Sequence, residues 1–102
     1  MTDIDKTLEE RGGRYGPFEG HANVTQSIKR AISPVDHKLF VMVECGLLEE
    51  EEADAIKECL DMVAHKIGRI VNGDPLYLDS WHDIIGYVKL IENMIQKKGE
   101  RE

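Results

Sequence analysis

Residues 49–72, EEEEADAIKECLDMVAHKIGRIVN, carry apolar side chains at Ala53, Ile56, Leu60, Val63, Ile67, Ile70 and Val71. Steps of three and four residues sustained over the whole stretch fit one face of an α-helix and no strand. Gly73 and then Pro75 supply the usual stop, a glycine after the last turn and a proline beyond it. A helix of about 24 residues is roughly 36 Å long. A chain of 102 residues fits one small domain, not two.

The remaining segments read as helices joined by short loops. Thr2 can cap a first helix running to about Arg11. The stretch RGGRYGPFEG, residues 11–20, holds four glycines and Pro17 and reads as a break and Gly-rich loop. A second helix is expected over about His21–Ile32, with Val24, Ile28 and Ile32 four residues apart. Ser33-Pro34 stops it, and VDHKLFVMVEC forms a third that ends at Gly46. The last helix is expected from about Asp79–Ser80 to Lys97, with residues 98–102 fraying. No segment alternates with period two, so the fold class is all-α, a bundle of four to five helices in one domain. In the last helix Trp81, Ile84, Val88, Ile91 and Ile95 form one apolar face, and Tyr87, Leu90 and Met94 a second beside it. Such a helix needs contacts on two sides, so a homodimer or higher homo-oligomer is expected.

Charge narrows the partners. Thirteen Lys and Arg against twenty Asp and Glu leave a net charge of −7. A surface so acidic argues against binding a nucleic-acid backbone, which calls for a basic face. The excess is concentrated in Glu49, Glu50, Glu51, Glu52 and Asp54, where carboxylates meet the positive end of the long helix. No apolar run approaches the roughly 20 residues of a membrane span. The acidic start MTDIDKTLEE does not resemble a signal peptide. Cys45 and Cys59 have no metal-ligand spacing with each other or with a histidine, and read as reduced thiols of a cytoplasmic protein.

Three constellations could carry chemistry. Asp79 and Asp83 lie beside an apolar stripe, where a carboxylate needs a reason. Helix capping through Ser80-x-x-Asp83, ion pairing with Lys66 or Arg69, and divalent-cation binding are the available reasons. On the long helix, Glu58, Asp61, His65 and Arg69 fall on one stripe, with Lys66 alongside. Carboxylates to hold Mg²⁺ together with Lys and Arg to hold phosphate are what a nucleotide with its metal requires. The third is Arg11-Gly-Gly-Arg-Tyr-Gly, where Arg11 and Arg14 could grip phosphate and Tyr15 could stack on a base. As plain structure, these are a capped helix start, a wet helix face and a turn.

The strings RYGxF, LDMVAHKIGRIVNGDP and DSWHDIIGYVKLIE resemble a family of small uncharacterised phage and prophage proteins, over residues 8–32 and 58–92. That family is in turn similar, more distantly, to the MazG-like all-α nucleoside triphosphate pyrophosphohydrolases. The resemblance implies Mg²⁺ held by acidic pairs on two helices, cleavage of a nucleoside triphosphate to monophosphate and pyrophosphate, and assembly as dimers or tetramers. Glu58-x-x-Asp61 stands at the first, catalytic pair. Asp79 and Asp83 stand near the second metal pair, with three residues between them in place of two. Lys66, Arg69 and Tyr87 stand on the phosphate and base side, and Pro17 occupies the place of an expected acid. The expectation is therefore a phage-type nucleotide-binding protein, pyrophosphohydrolase-like with Mg²⁺. The alternative is a non-catalytic phage protein in the host cytoplasm that inhibits a host defence protein or sequesters a nucleotide signal.

Overall fold

The structure, a computed structural model, describes residues 2–101. The described residues form helices α1 (Asp3–Tyr15), α2 (Phe18–Ile32), α3 (Val35–Glu44), α4 (Glu50–Asn72) and α5 (Leu78–Arg101), with no strand among them. The all-α expectation is met. No helix among them is long and apolar enough to cross a membrane.

The long helix α4 is the axis, and each of the other four packs against it. Its start is built by the acidic run. Glu49 and Glu52 form a reciprocal capping box, with the Glu49 N–H donating to Glu52 Oε1 at 2.9 Å. Glu52 also accepts from Lys98 Nζ at 3.2 Å, which ties the end of α5 to the beginning of α4.

The residues that α4 buries are small: Ala53, Cys59, Ala64 and Gly68. Ala53 joins Leu39 of α3 and Leu48 in an apolar cluster flanked by Val35, Val43 and Ile56. Gly68 marks the closest approach of α2. A Cβ built there would run into Thr25 Oγ1 and crowd the His21 ring. Opposite, α5 packs on α4 through buried Ser80 and half-buried Ile84, Tyr87, Ile91 and Met94, a run of three- and four-residue steps.

Four expectations are corrected. The break at residues 11–20 shrinks to Gly16-Pro17. Helix α1 runs through Gly12 and Gly13 to Tyr15, and α2 begins at Phe18. Glycine costs a helix only about 1 kcal/mol, and nothing packs within 4 Å of Gly12 or Gly13. The chain turns at Gly16, whose φ of 77° is the left-handed conformation that glycine adopts without strain. Second, Ser80-x-x-Asp83 is no capping box, because α5 has already begun at Leu78 and Ser80 is buried inside it. Third, the segment expected to fray stays helical through Arg101, and Glu102 lies outside the described residues. Fourth, the two apolar faces of α5 divide differently. Leu78, Trp81, Ile85, Val88 and Ile95 remain 48–74% exposed.

The bundle is long and thin, 56 by 24 by 24 Å. Its radius of gyration of 16.8 Å exceeds the roughly 13 Å of a compact chain of this size. No large side chain is fully buried among the described residues.

Two glycine substitutions test the packing of the axis. Gly68→Ala should lower the melting temperature and cost about 1–3 kcal/mol, because the α2–α4 contact has no room for a methyl group. Gly86→Ala, with nothing within 4 Å, should raise stability by up to about 1 kcal/mol. Equal effects of the two changes would contradict the close approach at Gly68.

Candidate functional site

The α1–α2 corner is held by the end of α4. Asn72 Nδ2 donates to the Tyr15 and Pro17 carbonyls at 2.9 and 2.8 Å. The Asp74 N–H donates to the Arg14 carbonyl at 2.7 Å. Asn72 thus reaches the carbonyl of Tyr15 at the end of α1 and shares that of Pro17 with the His21 N–H. The RYG and HKIGRIVNGD segments, far apart in sequence, meet here.

A cavity of about 530 Å³ opens between α1, α2 and α4. Leu8, Tyr15 and Phe18 give it apolar and aromatic walls, and Arg11, Arg69, His21 and His65 give it polarity. Among the described residues no Asp or Glu lines it. The Arg69 guanidinium lies 4.2 Å from the centre of the Tyr15 ring, a cation–π contact. Tyr15 meets Tyr77 edge-on at 6.1 Å, and Arg14 sits 5.3 Å over Tyr77. None of the ion pairs between described residues includes Arg69 or Arg11.

Two imidazoles form the inner wall. His21 Nε2 and His65 Nδ1 are 3.3 Å apart with their rings edge to face, and Thr25 Oγ1 is 3.4 Å from the same His21 nitrogen. One proton between the two rings satisfies that contact, so the pair is built for neutral imidazoles. Burial, then Arg69, His21, Lys66 and Lys29, lower the His65 pKa from 6.5 to about 4. Burial also lowers His21, opposed in part by the Gly68 backbone and assisted by Arg69. His21 Nδ1 is buried without a well-formed hydrogen bond. Local potential is therefore positive although the chain is acidic.

The expected site residues are distributed as follows. Tyr15, Arg69 and His65 come together in the cavity. Arg14 adjoins it and pairs with Glu10 at 2.8 Å. Lys66 leaves the stripe and binds Asp83 at 2.9 Å across α4 and α5, the ion pair that was one of the three readings of that acid. The Lys66 ammonium holds the Asp83 carboxyl below its ordinary pKa. Asp61 pairs with Lys57 at 3.4 Å, Asp79 accepts from the Tyr77 hydroxyl at 3.1 Å, and Glu58 is exposed. Tyr87 lines a separate shallow depression with His82, Asp83 and Leu90. Among the described residues no three His, Cys, Asp or Glu side chains are grouped to hold a metal. In one chain the four acids do not converge on a Mg²⁺ ion. Cys59 is buried and Cys45 exposed, both free.

His21, Thr25 and Phe18 are site residues that the sequence alone does not assign, whereas Arg11, expected as a phosphate grip, does line the cavity. Gly68 was the available signal. A glycine in mid-helix marks a close approach, and His21 and Thr25, four residues apart, share the face of α2 that meets it.

The imidazole pair has a measurable consequence. A histidine held near pKa 4 binds fewer protons than it does in the unfolded chain between about pH 4 and 6.5. Its contribution to stability is complete above pH 6.5 and is lost as the pH falls toward 4. The melting temperature should therefore drop from pH 7 to pH 5, and His65→Gln should flatten that limb. A wild-type melting temperature constant over this range would contradict the assignment.

The chain matches no protein-family model, and neither a curated protein nor a solved structure is similar enough to count as a match.

Proposed function

We propose that the chain is a nucleotide-binding helical protein whose ligand occupies the cavity between α1, α2 and α4. The observation that carries this reading is Arg69, a half-buried guanidinium stacked on Tyr15, beside two imidazoles and in no ion pair among the described residues, although its charge also acts on Asp83. A partly buried cation without its counter-ion is costly, and an incoming anion relieves that cost. The planar fork of arginine matches phosphate oxygens in a bidentate way. Arg69 and Arg11 would take the phosphate, an imidazole N–H would donate to a third oxygen, and Leu8 and Phe18 would cover the base.

This reading keeps the nucleotide chemistry that the phage-protein resemblance implies. It does not require the carboxylates of Glu58, Asp61, Asp79 and Asp83; lysines pair with Asp61 and Asp83, and Asp79 accepts from the Tyr77 hydroxyl. A thermal-shift screen of nucleotides, with and without Mg²⁺, tests it, followed by an assay for pyrophosphate release. Stabilisation by a nucleotide is expected, and Arg69→Ala should abolish most of it. No shift from any linear or cyclic nucleotide would overturn the reading and favour a protein partner. Pyrophosphate release would make the protein an enzyme as well as a binder.

We also propose that copies associate through α5. The exposed row Leu78, Trp81, Ile85, Val88 and Ile95 follows the three- and four-residue steps of a helix-packing seam, interrupted only by Glu92. The elongated shape supports a bundle completed by a neighbour. At micromolar concentration, sedimentation should report a dimer or larger species, and Ile85→Glu should reduce its mass. A wild-type monomer would contradict association.

A further inference from the structure

The charges that line the cavity bear on which nucleotide it takes, an inference that rests on the nucleotide-binding reading above. Its fixed positive charges are the two guanidinium groups of Arg11 and Arg69. The other polar groups are the imidazoles of His21 and His65, donors and acceptors without charge at neutral pH. A phosphate monoester carries about −1.5 to −2 at pH 7, so two arginines balance one terminal phosphate. A triphosphate roughly doubles that charge and travels with Mg²⁺, which demands oxygen ligands and keeps several of its waters.

The cavity wall offers no carboxylate oxygen to such an ion. Two of the acids that could serve a metal are already engaged. Asp83 holds Lys66 at 2.9 Å, and Asp61 holds Lys57, which also reaches Asp36 at 3.1 Å. Recruiting Asp61 or Asp83 to a metal would break an ion pair and leave a lysine uncompensated, Lys66 with only 12% of its side chain exposed. Nitrogen donors from imidazole and guanidinium suit phosphate oxygens directly and suit a hard cation poorly.

We infer that the site takes a metal-free nucleoside monophosphate, bound directly by Arg11, Arg69 and the His21–His65 pair, and not a Mg²⁺–triphosphate. The aromatic and aliphatic wall then faces the base and sugar, and the arginines the single phosphate. A volume near 530 Å³ lies in the range of sites for one small ligand.

Isothermal titration of the full chain with nucleoside monophosphates and the matching triphosphates, each in EDTA and in excess Mg²⁺, tests this. The monophosphate should bind with the same Kd, within about twofold, in both conditions. The triphosphate in Mg²⁺ should be weaker by about tenfold or more, a difference of roughly 1.4 kcal/mol. Arg69→Ala should lose at least about tenfold, and Arg69→Lys should restore part of it without the bidentate fork. Arg11→Ala, at an exposed position, supplies a second loss-of-charge variant without disturbing the packing. A triphosphate that binds as tightly as the monophosphate, or only when Mg²⁺ is present, would overturn the inference while leaving nucleotide binding intact. Absence of binding by every nucleotide in both conditions would remove the nucleotide-binding reading itself.

Discussion

Everything in this bundle depends on how closely α2 lies against α4. Ala64 and Gly68 remove side-chain bulk from that contact, and His21 and Thr25 come down onto the bare backbone of Gly68. Burial of that kind is available only between small residues, because any Cβ at 68 meets atoms that already fill the space. The closeness sets His21 against His65 at 3.3 Å, with His21 buried and His65 half-buried. It also fixes where Arg69, one residue beyond Gly68, can go. One turn further along the same helix, Asn72 holds the α1–α2 corner against Arg69 through Tyr15.

From these constraints follows a small region of positive potential in an acidic protein. Lys29, Lys66 and Arg69 all depress the protonation of His65, after burial itself. The acids that give the chain its charge of −7 lie elsewhere, at the start of α4 and in ion pairs with lysines. Net charge and local charge therefore point in opposite directions. Binding of a small anion is governed by the local value, since an effective dielectric well below that of water strengthens contacts within a few ångströms.

The helices were legible because each carries its own period and its own stop signal. The 3.6-residue pattern of α4, its acidic start and Gly73-Pro75 locate that element to within one residue at its start. The loop around Gly12 and Gly13 was misread because local propensity is weak beside capping. The side chain of Asn72, more than fifty residues away, supplies what the end of α1 needs. The site was half legible. Arg69 and Tyr15 were named from residue type, but their meeting depends on a corner between two helices that no periodicity encodes. His65 was read on a wet face, because one helix alone does not show that α2 covers it. The acidic pairs looked alike in sequence and separate in space, each answered by a different partner.

On this reading the neutral His21–His65 pair beside Arg69 forms an anion site. Nuclear magnetic resonance titration of the His65 ring protons tests it directly, without ligand and with a nucleoside monophosphate at saturation. The account expects a free-state pKa near 4, moved upward when phosphate sits against the ring. A free-state value at the ordinary 6.5, or one that the nucleotide leaves unchanged, would contradict it.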